Sequence, residues 1–453
     1  MLNRKSWNRI AGLGALTLAL AALVTCRGKE QAEKPTPVTT PPVAAATPPA
    51  YVGPTPVQDA LDGAARPSLL LAQAWFWKDE QGRPKPGPAR LDIWRPGSDG
   101  VWSRTRLEDS ESNVFHKAIA YDGGVLTIGA EKANLKLWTF ADGKWTGKTL
   151  WTKSWGGKFN RLRDIEIGDV DGDGKDEFVI ATHDAGVVAV YNPPDSPDGQ
   201  PTVIEMDQKA DTFVHEIEIA DIDGDGKLEF FATPTDRNQA NSSQGGMMVM
   251  YRWDGASYVR SVVDPMGHTH AKEILANDLD GDGKAELFAV LEAETDDAKN
   301  IVKPVEIRQY FLQPDGSFTY VSIASIDDRQ TRFLVPGDFD GDGKKELVAA
   351  AMKKGIFYLR PPSAEVLAAA QKAGQPTAPW TVTSFNATSS GFEHACYAAD
   401  LDGDNKLELY VAGDEQQELR RYDYDPVKKE FNSTLLGRID PDTLTWNITV
   451  GTL

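Results

Sequence analysis

Short apolar stretches recur along this chain from about residue 115, each bounded by glycine and aspartate. Ile165-Glu166-Ile167 and Ile217-Glu218-Ile219 alternate with period two, while Phe178-Val179-Ile180, Phe230-Phe231-Ala232 and Leu347-Val348-Ala349 are continuously apolar. Both patterns have the length and period of strands. An acidic segment separates the members of each pair, so each acidic segment reads as a hairpin connection. Further on, an aromatic strand is followed by a polar turn and a second aromatic: Tyr251, Asp254-Gly255, Tyr258; Tyr310, Asp315-Gly316, Phe318; Tyr422, Asp425, Phe431. The same hairpin occurs twice upstream with no acidic segment before it, at Trp94 to Trp102 and Trp138 to Trp145.

The acidic segments are five copies of one nonapeptide, D-x-D-G-D-G-x-x-E, with first aspartates at 169, 221, 278, 338 and 400. Carboxylates stand at positions 1, 3, 5 and 9: Asp169, Asp171, Asp173 and Glu177; Asp221, Asp223, Asp225 and Glu229; Asp278, Asp280, Asp282 and Glu286; Asp338, Asp340, Asp342 and Glu346; Asp400, Asp402, Asp404 and Glu408. A hard cation such as Ca²⁺ takes about six to eight oxygens, and a tight loop can bring these to one point. Without an ion, four carboxylates crowded together repel one another. A backbone carbonyl at position 7 (Lys175, Lys227, Lys284, Lys344, Lys406) and water would complete the shell, giving about five Ca²⁺ sites. In the fifth copy Asn405 replaces the glycine of position 6, the substitution expected where the backbone needs positive φ. An EF-hand is excluded, because its closing Glu at position 12 is replaced by Ile180, Ala232, Ala289, Ala349 and Val411.

Steps of 52, 57, 60 and 62 residues between copies mark an array. Strands at this spacing predict an all-β fold, a β-propeller of four-stranded blades with Ca-binding hairpin loops. Counting gives seven blades: five with the acidic loop, one from about Phe115 whose loop is reduced to Asp122-Gly123-Gly124, and one split between the chain ends. The split blade takes its later strands from Leu69 to Arg106 and its inner strand from Trp446 to Val450, so that N- and C-terminal strands close the ring and remove its edges. The Ala-rich insertion from Ser363 to Ala373 predicts a short helix. The propeller is expected over residues 67–453.

A nonapeptide of this form between the first two strands of a blade resembles the FG-GAP/VCBS repeat of integrin α subunits and of many bacterial surface proteins. The resemblance covers about residues 115–450 and is closest to the bacterial branch. It implies Ca²⁺ held on the lower face through positions 1, 3, 5, 7 and 9, with ligands bound on the opposite, upper face.

Residues 1–26 read as a targeting segment: Arg4, Lys5 and Arg9 precede an apolar run of 16 residues, Ile10 to Thr25, too short to span a membrane comfortably. It ends Leu23-Val24-Thr25-Cys26, which resembles a bacterial lipobox with Cys26 as the lipidated residue. Eight prolines between Lys34 and Pro56 make residues 27–66 a semi-extended, disordered linker. The expected location is the cell envelope, lipid-anchored in the outer membrane or periplasmic, with the lipid as the sole membrane contact. Cys396, the second of two cysteines, has no partner, so no disulfide framework forms. The net charge of −19 weighs against nucleic acid as a partner. No P-loop, dinucleotide fingerprint, nucleophile elbow or CxxC pair is present.

Six residues before each first loop aspartate stand His116, Arg163, His215, Lys272, Arg332 and His394, with Asp122 marking the reduced loop; the split blade offers Trp446. This position lies at the upper rim of the channel, and acids stand beside it: Asp164, Glu216, Glu273 and Glu393. His183, His268 and His270 fall on the same face, as do the longest connections, Pro234 to Gly246 and Glu292 to Lys303. The ring reads either as a salt-bridged rim or as a site for an anionic or polar ligand. The function expected is a surface-tethered module binding an extracellular carbohydrate or protein, without catalysis. The alternatives are a carbohydrate-active enzyme of lyase or dehydratase type and a structural envelope subunit.

Overall fold

A computed structural model describes residues 54–58, 61, 65–97, 99–156, 160–183, 185–196, 199–236 and 244–453. Cys26 and the targeting segment lie outside these residues. Among the described residues, six antiparallel four-stranded sheets and one sheet with a four-stranded antiparallel body and two added short strands form the seven blades of a propeller. Their inner strands are Thr443–Thr452, Phe115–Tyr121, Leu162–Gly168, Thr212–Ala220, Ala271–Asn277, Thr331–Gly337 and Cys396–Ala399. Each inner strand packs against the next, and the last returns to the first, so the seven make a ring. We number the blades one to seven in that order.

Blade one joins early and late strands of the described residues. Its inner strand, Thr443–Thr452, pairs antiparallel with Pro67–Lys78 from Thr443↔Trp75 to Thr452↔Pro67. The sheet continues through Ala89–Pro96 and Trp102–Asp109. Within the stretch expected to be linker, Val57–Gln58 adds a parallel edge to this blade, facing Arg104 and Thr105. The backbone carbonyl of Thr55 accepts from Arg104, and Thr55 Oγ1 accepts the Arg438 N–H at 2.7 Å.

The core lies between blades rather than within them, because each sheet is apolar on both faces. Phe178, Ile180 and Tyr191 of blade three pack with Leu126, Ile128 and Leu135 of blade two. Phe230, Ala232 and Tyr251 of blade four pack with Val179, Val188 and Val190 of blade three. Ala364–Lys372 is the predicted helix; Ser363 caps it by accepting the Val366 N–H, and no residue of it is buried. It is an excursion on blade six and contributes nothing to the core.

Candidate metal loops and channel rim

All five acidic nonapeptides connect the first and second strands of blades three to seven, at the same end of the ring. One backbone pattern repeats in each. In the first loop the Asp169 carboxylate accepts the Gly172 N–H at 2.8 Å and the Gly174 N–H at 2.9 Å. Asp171 accepts the Asp173 N–H at 3.1 Å, Asp173 the Lys175 N–H at 2.9 Å, and Glu177 the Val170 N–H at 3.0 Å. The equivalent five bonds form at Asp221 to Glu229, at Asp278 to Glu286, at Asp338 to Glu346 and at Asp400 to Glu408. Positions 4 and 6 are left-handed throughout; Asn405, at φ 63°, takes the conformation that Gly174 holds at 88°.

Convergence of the carboxylates differs among loops. In the fifth, Asp400, Asp402, Asp404 and Glu408 each bring an oxygen within 4.8 Å of the others. The remaining four bring three together: Asp169, Asp171 and Glu177; Asp221, Asp223 and Asp225; Asp278, Asp280 and Asp282; Asp338, Asp340 and Glu346. Burial, with the neighbouring aspartates adding, raises Glu177, Glu286 and Glu346 to about 7. A buried carboxylate pushed up by like charges is a group whose ionised form a cation would stabilise, and an all-oxygen donor set suits a hard one. The loops therefore fit a bound divalent ion. In the second loop a protein cation already stands there: Arg252 bridges Asp223 Oδ2 at 2.7 Å and Glu229 Oε1 at 2.8 Å. Arg421 holds Asp402 Oδ2 at 2.7 Å in the fifth.

Position 2 of the loop, passed over in the sequence pattern, has a structural task. Val170, Ile222, Leu279, Phe339 and Leu401 are all buried, and each inserts into the core shared with the next blade. Phe339 reaches Phe431 of blade seven with ring centroids 5.7 Å apart. Successive loops also bond to one another: the Ala285 N–H donates to Asp221 O at 3.0 Å, and Lys345 Nζ to Asp278 O at 2.8 Å. The signal was present, since the residue at this position is apolar in all five copies.

At the other end of the inner strands the six ring residues are all buried: His116, Arg163, His215, Lys272, Arg332 and His394. In five blades the strand register slips at this residue, between Phe115 and Lys117, Leu162 and Asp164, Val214 and Ile217, Ala271 and Glu273, and Thr331 and Phe333. A bulge at one position in five strands re-aims one side chain in each. His394, just before the short inner strand of blade seven, has φ 50° instead.

Two ring residues bond to each other, and the others reach neighbouring acids, backbone carbonyls or a hydroxyl. Lys272 Nζ and His215 Nε2 are 2.9 Å apart. His183 stacks on Phe213 at 3.6 Å, and His215 stands 6.1 Å from His183 and 5.7 Å from His270 between ring centroids. His270 Nε2 lies 3.7 Å from Glu292, Arg163 3.7 Å from Glu216, and Arg332 Nη2 3.1 Å from Glu393. Trp446 joins the rim, edge-on to His116 at 4.9 Å and 5.2 Å beneath Arg163. His268 is exposed while His270 is buried, so the His-x-His pair does not converge. Asp184, which follows His183 in the sequence, lies outside the described residues.

Burial keeps the imidazoles neutral: His270 is lowered to about 3, and His116, His183 and His215 fall well below their ordinary value. Burial also brings Lys272 down to about 7, with Glu292 opposing and Arg332 and Arg163 assisting. Deeper in the channel Lys117 pairs with Asp164 at 3.0 Å and with Glu166, while burial raises Glu216 and Glu273 well above the carboxylate range. The rim is thus filled by its own side chains. Open space lies beside it: a cavity of about 400 Å³ between blades three, four and five, walled by Lys209, Asp236, Arg260 and glycines 186, 245, 246 and 267. Gly246 packs directly on His270.

This architecture defines a seven-bladed β-propeller with acidic hairpin loops on one face. A family of FG-GAP-like repeats matches residues 169–232 and 278–349. Comparison with curated proteins found no sequence match. Among solved structures, a Pseudomonas aeruginosa periplasmic gluconolactonase superposes with a TM-score of 0.51 at 12% identity, over 85% of this chain and 99% of that one. A putative 6-phosphogluconolactonase from Bacteroides fragilis gives 0.50 at 14% identity, over 85% and 98%. At these identities the likeness is one of fold. Among the described residues no helix is long and apolar enough to cross a membrane.

Proposed function

We propose that this propeller is a calcium-stabilised binding module, tethered to the cell envelope through Cys26, that takes an extracellular carbohydrate or protein ligand on its upper face. The observation that carries this reading is the upper-face cavity of about 400 Å³, a volume in the range of small-ligand sites. Lys209, Arg260 and Asp236 offer charged and hydrogen-bonding groups there, and four glycines bring bare backbone to its wall. The loops at the other end contribute stability, not recognition. A glycan array and an envelope-protein pull-down with the propeller in Ca²⁺ test it. Binding that falls about tenfold or more in Lys209→Ala with Asp236→Ala is expected; no ligand in either format overturns the proposal.

A second reading is an enzyme on sugar acids: Lys272 Nζ lies 2.9 Å from His215 Nε2, and burial lowers it to about 7 with Arg332 and Arg163 assisting, which makes it the candidate base. Release from a uronate polysaccharide of an unsaturated product absorbing in the near ultraviolet, lost in Lys272→Met, would support it. Without such turnover it fails.

A further inference from the structure

Between blades six and seven a second cavity, of about 270 Å³, opens on the same face. Ser389, in the connection from Thr381–Asn386 to Cys396–Ala399, forms part of its wall. Ser389 Oγ lies 2.7 Å from His394 Nε2, and His394 Nδ1 lies 2.7 Å from the backbone carbonyl of Ala351. The carbonyl only accepts, so Nδ1 carries the proton and Nε2 presents a lone pair. The Ser389 hydroxyl must then donate to Nε2. This is the arrangement of an activated hydroxyl: nucleophile, base, and a third group fixing the base's tautomer.

The surroundings fit that use. His394 is fully buried at φ 50°, an uncommon conformation for a side chain of this size, held by its two hydrogen bonds. Burial lowers it to about 4, so the imidazole is unprotonated at neutral pH. At Gly413 a β-carbon would stand 3.3 Å from Ser389 Oγ, and its absence leaves the hydroxyl approachable. Tyr422 accepts from Asn386 Nδ2 at 2.6 Å and is also hydrogen-bonded to the Ser389 side chain, which fixes the hydroxyl in place. Gln416, Arg420 and Ser433 complete a polar wall.

We infer that Ser389 and His394 form a nucleophilic dyad that cleaves short-chain acyl esters of hydroxylated compounds in this cavity. Ser389 Oγ attacks the ester carbonyl as its proton passes to His394 Nε2. The Oγ–C bond forms, the ester C–O bond breaks, and the departing alkoxide takes the proton from Nε2. Water, deprotonated by the same imidazole, then releases the carboxylic acid and restores Ser389. Arg420, paired with Glu418 in the same wall, is the charged donor this cavity offers to the developing oxyanion. The small volume limits the acyl group, and the hydroxyl- and amide-bearing wall suits a polyol or sugar as the alcohol.

The test is phosphonylation of the full chain by a fluorophosphonate probe, with the modified residue mapped by mass spectrometry. The expected result is modification at Ser389, steady from about pH 5 to 8 and falling as His394 protonates near pH 4. His394→Gln should slow it by about 10²-fold or more. Acetate release from an acetylated sugar should disappear in Ser389→Ala with its melting temperature kept. An unmodified Ser389 in the folded wild-type chain overturns the inference, whatever the variants do. So does equal labelling in a folded His394→Gln. Failure here leaves the ligand site between blades three, four and five untouched, since the two cavities share no wall.

Discussion

Asn405 shows how much a single residue type can report. It sits at φ 63° where four other loops have glycine, and its carboxamide type tolerates that region where a branched side chain does not. Asn405→Val should cost about 1–2 kcal/mol in denaturant unfolding, while Asn405→Gly should change stability by a few tenths at most. Arg252 makes a different point. Its guanidinium occupies the free oxygens of Asp223 and Glu229, so an ion entering the second loop must displace it. Arg252→Ala should therefore tighten calcium binding at one site and leave the other sites unchanged, as read by isothermal titration. Lys272 carries a pH signature. Its folded-state pKa of about 7 lies below the unfolded 10.5, so the unfolded chain holds more protons between those values and stability rises with pH across that window. Lys272→Met should flatten thermal stability between pH 7 and 10.

The loop is the element that organises the molecule, and it does so in two ways. Its carboxylates gather around one point, and its apolar second residue locks the loop into the neighbouring blade. Phe339→Ala should cost about 3–5 kcal/mol, because it empties a pocket between Tyr358 and Phe431. Linkage sets the loops' pH behaviour. Glu177, Glu286 and Glu346 stand near 7 when folded against 4.5 unfolded, so the folded chain binds extra protons between those values and loses stability as pH rises through them. In chelator, melting temperature should fall from pH 5 to 8; in saturating calcium that fall should vanish, because the ion replaces the protons. Much at this scale was legible in the sequence: the nonapeptide, its place between two strands, the aromatic hairpins and the helix at Ala364–Lys372. The bulges were not, because a register slip depends on the partner strand. The rim's residues, Trp446 and the histidines among them, were legible, but how they pack with Phe213 across blades was not, because those contacts have no local pattern.

Seven sheets in a ring place every apolar face between two neighbours, which is why the blades share cores and why no disulfide is needed. The two faces are chemically unequal. One end carries 20 loop carboxylates out of 67 acidic residues, against a net charge of −19 for the chain. The other end has a sealed rim flanked by two cavities. Self-repulsion on the acidic face opposes the compact state; on the proposed reading divalent ions would offset it, each site adding about 2.7 kcal/mol at a hundredfold excess over Kd. Calcium titration of the metal-free protein, followed by calorimetric unfolding, tests this account most directly. It predicts about five bound ions per chain and a melting temperature that rises with free calcium and collapses in chelator. No bound calcium, with the same melting temperature in calcium and in chelator, would contradict it.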